Sequence, residues 1–152
     1  MIFDDDFFTL KIQGKVVATF EWTTKLSIGV PQIDADHQAI VRLLNRMGHL
    51  PEEPQREAEF RELFSEVVEM LAAHFKFEEE YFSKPEYKGA DAHKREHSKL
   101  LQELDATARS DESQHLKATR LAKYLQAWQM THIMVSDRAF SDAFRIDPRA
   151  AR

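Results

Sequence analysis

The chain is predicted to be all-α, an up-down-up-down four-helix bundle with an N-terminal arm and a short C-terminal helix. Three observations predict it. Only 4 Gly and 5 Pro interrupt 152 residues, too few turn residues for many short strands. Four stretches carry apolar residues at helical spacing, separated by Gly, Pro, Ser and Asp. The connections between these stretches are short, which folds most simply as antiparallel neighbours around one core.

Residues 8–20, FTLKIQGKVVATF, differ from the rest. Every even position from Phe8 to Phe20 is apolar except Gly14, and period two is a strand signal. An arm over 1–21 is expected to hold a short β-hairpin folded over Gln13–Lys15. That would set Ile12 against Val16, Leu10 against Ala18 and Phe8 against Phe20. The bundle follows over 22–147, then a tail over 148–152.

Helical spacing begins near Ile33 with His37, Ile40, Val41 and Leu44, and should stop near Gly48, ahead of Pro51. A second helix starts near Pro54, a favoured first-turn residue with acids close by. Phe60, Leu63, Val67, Leu71, Phe75 and Phe82 carry it to about Ser83, and Pro85 breaks it. The third runs from about Lys88 to Ala108, with Leu100, Leu101 and Leu104 inward. Ser110 or Asp111 can cap the fourth, which passes through Leu121, Leu125, Trp128, His132 and Val135. The apolar segment Phe140–Ile146 supplies the last short helix.

Composition excludes several functions. Cysteine is absent, so disulfides, iron–sulfur clusters and thiolate zinc sites are out. A reducing cytoplasm suits such a chain. The net charge of −5 argues against nucleic acid, which needs a basic face. No apolar run approaches the roughly 20 residues of a membrane span. The start, MIFDDDFF, is acidic where a secretory signal would be basic. A cytoplasmic monomer is expected.

Chemistry enters with the seven histidines, 37, 49, 74, 93, 97, 115 and 132. His74 precedes Glu78 by four residues, and His93 precedes His97 by four, so each pair shares a helix face. His37 and His132 lie on the inward stripes of the first and fourth helices. Five buried imidazoles without partners would be costly, and metal coordination removes that cost. Asp137 follows His132 by five residues, about 140° round an α-helix axis. A π-type turn, or a helix end near Ser136, would bring both side chains inward.

Five imidazoles and two carboxylates are too many for one zinc ion. They suit two six-coordinate ions bridged by the carboxylates, and imidazole with carboxylate favours iron. Two ferrous ions, two carboxylates and a hydroxide leave one positive charge.

The set His37, His74-x-x-x-Glu78, His93-x-x-x-His97 and His132-x-x-x-x-Asp137 resembles hemerythrin, particularly the bacterial hemerythrins, from about Trp22 to Phe144. HFKFEEEYF is similar to the family's HFxxEExxM, with Phe82 in the methionine place. Tyr87 falls where the family has Tyr-Pro, with Lys88 replacing the proline. The resemblance implies two iron ions with an oxo or hydroxo bridge. His93, His97 and His132 would hold one, and His37 and His74 the other. Glu78 and Asp137 would bridge both. Dioxygen would bind reversibly at the two-histidine iron, in a pocket kept dry. Phe75, Phe77, Phe82, Trp128 and the leucine stripes are its candidate walls. A carrier or store, not an enzyme, is the reading. An oxygen or redox sensor docking a protein partner through the arm, and a di-iron peroxide or nitric-oxide reductase, are the alternatives.

Two rival metal patterns fail. The string HKREH, 93–97, also fits the inverted zinc-protease motif. That reading leaves His37, His74 and His132 unexplained, and Glu96 lies about 100° from His97 on a helix. Glu96 is therefore expected to be a solvated acid beside Lys94 and Arg95. A ferritin-like site needs two Glu-x-x-His motifs, and only Glu112–His115 fits. His115 is expected at the surface and His49 at a helix end, neither a ligand.

Overall fold

The computed structural model describes residues 9–12, 15–50, 56–83, 87–110 and 114–149. Its elements are β1 (Thr9–Ile12), β2 (Lys15–Ala18), α1 (Pro31–Gly48), α2 (Glu57–Tyr81), α3 (Ala90–Ala108), α4 (Gln114–His132) and α5 (Arg138–Ala143). A 3-10 turn over Thr24–Leu26 precedes α1, and a π-turn over Ile133–Asp137 joins α4 to α5. The all-α bundle expected from the sequence is the fold.

The strands pair antiparallel, but one residue out of the expected register. Ile12 faces Lys15, Lys11 faces Val16, Leu10 faces Val17 and Thr9 faces Ala18. The expected pairing of Ile12 with Val16 leaves three residues between the strands. The observed pairing leaves two, the commonest hairpin connection. The expected Phe8–Phe20 pair lies partly outside the described residues.

Each long helix buries one stripe, and each stripe changes character along its length. Along α2, Phe60, Leu63, Val67 and Leu71 give way to His74 and Glu78. Along α3 the order reverses, from His93 and His97 to Leu100 and Leu104. Alternating direction therefore gathers every polar inward residue at one end and the leucines at the other. The leucine end is one cluster of Ile40, Leu44, Met47, Phe60, Leu71, Phe75, Leu104 and Leu125 with their neighbours.

A second apolar cluster covers the polar end. Phe20, Leu26, Ile28 and Val30 pack with Ile33 and Val41 of α1 and with Ile133. Phe20, placed in the arm by its sequence pattern, is buried here. The Asn45 side chain secures it, accepting from the Phe20 N–H at 2.9 Å and donating to its carbonyl at 2.8 Å.

The turn into α1 depends on Gly29 and Asp34. The buried Asp34 carboxylate accepts from the Ile28 N–H at 2.9 Å and the Ser27 hydroxyl at 2.6 Å. Gly29 has φ +84°, and a Cβ there would meet the Asp147 carbonyl oxygen at 2.3 Å. Backbone stands in the way, so nothing nearby can yield easily. Gly29→Ala is expected to lower stability by about 2–4 kcal/mol, from left-handed strain plus overpacking, read as a fall in Tm.

Candidate metal centre

The seven residues singled out from the sequence converge at the polar end of the bundle. His37 comes from α1, His74 and Glu78 from α2, His93 and His97 from α3, and His132 from α4. Asp137 comes from the π-turn. All seven are at most 3% exposed. The π-turn reconciles the five-residue spacing of His132 and Asp137. At five residues to the hydrogen-bonded ring it closes the roughly 140° gap an α-helix would leave.

The donors divide into two unequal groups. In one, His132 Nε2 lies 2.9 Å from His93 Nε2 and 3.0 Å from His97 Nε2. Glu78 Oε2 is 3.2 Å from His97 Nε2, and Asp137 Oδ1 is 3.0 Å from His93 Nε2 and 3.3 Å from His132 Nε2. In the other, Glu78 Oε1 lies 3.2 Å from His74 Nε2, and Asp137 Oδ2 lies 3.2 Å from His37 Nε2. Each carboxylate thus gives one oxygen to the three-imidazole group and the other to the two-imidazole group. Glu78 with His93, His97 and His132, and Glu78 with His37 and His74, are each compact enough to hold an ion.

The donor chemistry calls for cations. Both oxygens of Glu78, both of Asp137, and the Nε2 atoms of His37 and His74 are buried with no hydrogen-bond partner among the described residues. His97 and His132 direct Nδ1 at carboxylates, so their Nε2 lone pairs face each other. That arrangement repels unless a cation lies between. The donor count points the same way. Three imidazoles with an oxygen from each of two carboxylates exceed the four donors of a tetrahedral zinc site and suit a six-coordinate ion.

Protons take the cation's part in the metal-free chain. Burial opposes a charge on His74, but Glu78 and Asp36 outweigh it and raise its pKa to about 10. Burial also opposes protonation of His37, which Asp137 and Glu78 nevertheless raise. Burial would raise both carboxyls as well. His74 and His37 instead hold Glu78 well below the usual range, and His132, His37 and His93 bring Asp137 to about 2. Burial lowers His132, which favours the neutral imidazole a metal needs.

An outer ring of carboxylates orients the imidazoles, and here one expectation is corrected. Glu96 is not merely a solvated acid. Its Oε2 accepts from His132 Nδ1 at 2.9 Å and from the Ser136 hydroxyl at 2.7 Å, although its side chain is 47% exposed. Glu79 lies 3.0 Å from His97 Nδ1, and Asp36 lies 3.5 Å from His74 Nδ1. The three follow one rule. Each sits next in sequence to an inward donor, Asp36 by His37, Glu79 by Glu78 and Glu96 by His97, and each serves the imidazole of the following helix. That adjacency is the only sequence signal for them, and helix-wheel angles alone hide it. Glu96→Ala is expected to weaken metal binding about 10–100-fold in a chelator competition, with far-UV circular dichroism unchanged.

Three aromatic rings lie flat on the three-imidazole group. Phe75 stacks on His97 at 3.9 Å between centroids, Phe82 on His93 at 4.5 Å and Trp128 on His132 at 4.4 Å. Phe77 packs in the second apolar cluster instead. The two-imidazole group is approached by Trp22, 6.0 Å from His37, a contact the sequence reading did not single out. His49 lies at the end of α1, its Nδ1 2.6 Å from the Asn45 carbonyl. The His115 side chain lies outside the described residues.

The family profile described as the hemerythrin HHE cation binding domain matches residues 28–143, which include all seven donors. The chain belongs to the hemerythrin family. It is 29% identical over 126 residues to a bacteriohemerythrin of Stenotrophomonas maltophilia (strain R551-3), covering 83% of this chain and 82% of that one. It is 26% identical over 129 residues to a bacteriohemerythrin of Pseudomonas aeruginosa (strain LESB58), covering 85% and 84%. A hemerythrin-like protein of Naegleria gruberi is 20% identical over 125 residues, covering 82% and 93%. No solved structure matches the chain. Hemerythrin membership and the buried His/Glu cluster together support a metal-binding domain for non-heme iron. Among the described residues no helix is long and apolar enough to cross a membrane.

Proposed function

We propose that this hemerythrin binds dioxygen reversibly at two iron ions and acts as an oxygen carrier or store. One observation carries the reading. Two buried carboxylates each split their oxygens between a three-imidazole and a two-imidazole group. His93, His97 and His132 would hold one iron, His37 and His74 the other, with Glu78 and Asp137 spanning both. The iron pair supplies the two electrons that dioxygen borrows and returns.

The chain's own residues do the rest. The two-imidazole end has one nitrogen fewer, which leaves room for a small ligand. Ile33 and Val41, one turn either side of His37, are buried with Ile133 in the second apolar cluster. That cluster excludes water beside His37, which favours release of the ligand unchanged. Glu96, Glu79 and Asp36 fix three of the imidazoles, so little reorganisation accompanies binding.

His74→Ala tests the assignment. It removes a nitrogen from the two-imidazole group and leaves the other group whole. The variant is expected to hold about one iron per chain and to take up no oxygen. Two irons with normal oxygen uptake would remove His74 from the site.

A further inference from the structure

Gln129 is the one buried side chain outside the seven donors whose polar atoms lack partners among the described residues. It is 1% exposed, and neither Oε1 nor Nε2 has a hydrogen bond. An orphaned amide in an apolar interior is costly, and a native chain that keeps one has a use for it.

Its position follows from the packing of α4 on α1. The Gln126 amide donates to Asn45 Oδ1 at 3.2 Å, and a Cβ on Gly48 would lie 3.4 Å from that of Ala122. The helices therefore run antiparallel, and the same register sets Gln129 level with Val41. Ile133, one turn on, comes level with His37, in keeping with its packing between Ile33 and Val41. Gln129 thus lies about 6 Å along the axis from His37. It sits where the leucine core, represented by Leu125 and Ile40, meets the polar end. The residues flanking it on its own inward stripe, Leu125, His132 and Ile133, offer it no partner among the described residues.

We infer that the Gln129 carboxamide is the hydrogen-bonding group of the ligand pocket at the His37–His74 end, recognising small ligands that carry an acceptor atom. The Nε2–H group donates to such a ligand. The pocket then discriminates: it favours small ligands that present negative charge to the amide, and it holds them longer. This rests on the two-iron reading above.

The test is azide titration of the oxidised, iron-loaded protein, followed optically and by the infrared stretch of bound azide. Gln129→Leu preserves volume and removes the amide. It is expected to bind azide about tenfold more weakly, since one hydrogen bond to a charged acceptor is lost. The azide stretch should shift, which a merely structural role would not cause. The metal-free variant should melt no lower than the parent, because the orphaned amide is gone. Equal azide affinity with an unshifted stretch would overturn the role of Gln129 and leave the iron pair standing. An iron-loaded parent that binds no azide, or holds fewer than two irons, would overturn the two-iron reading and this inference with it.

Discussion

Insertion of one alanine after Val135 is expected to abolish the paired metal site while leaving four helices in place. Val135 is 62% exposed within the π-turn, so its side chain contributes little packing. Its backbone is what matters. One added residue lengthens the step from His132 to Asp137 from five residues to six, which the π-turn cannot close, and rotates everything beyond it by about 100° relative to His132. Asp137 would leave the centre, and the fully buried Phe140 and Ser141 would swing with it. Metal analysis should find one iron per chain or none, against two for the parent. Stability should fall by roughly 3–5 kcal/mol through the lost packing of Phe140. Val135→Ala is the control, keeping the residue count and both irons. If the insertion variant still held two irons, the π-turn would not be what delivers Asp137.

Removing the metal is expected to lower Tm by about 10 °C without changing the fold. Among the described residues the metal-free centre leaves both Glu78 oxygens, both Asp137 oxygens and four imidazole nitrogens without hydrogen bonds, all buried. Ions that bind only the folded chain stabilise it by mass action, about 4 kcal/mol at a thousandfold excess over Kd. Each 1 kcal/mol is about 2–4 °C for a chain of this size. Scanning calorimetry of the metal-free and iron-loaded protein checks this. Identical melting curves would show that the cluster is satisfied without metal.

Much of this was legible before any coordinates. Helix periodicity placed four helices because each stripe is long and punctuated by Pro or Gly. The polar inward residues stood out because His74–Glu78 and His93–His97 share helix faces, a geometry that spacing alone fixes. The need for a special turn before Asp137 was legible too, since five residues cannot align on an α-helix. What escaped depends on contacts between helices. Glu96 points away from its own helix's stripe, and on a single helix an outward angle is indistinguishable from solvent exposure. Across the gap it meets His132 and Ser136. Gln129 escaped because one amide in an amphipathic stripe has no signature until its partners are sought. The hairpin register escaped because alternation alone does not set the length of the connection.

The most direct test of reversible oxygen binding is an optical difference spectrum through one cycle. The iron-loaded protein would be reduced without air, exposed to oxygen, then purged with inert gas. The two-iron carrier predicts a visible charge-transfer band that appears with one oxygen per two irons and vanishes on purging, over several cycles. A reduced two-iron protein that gives no band with oxygen, or one that oxidises and does not recover, would contradict it.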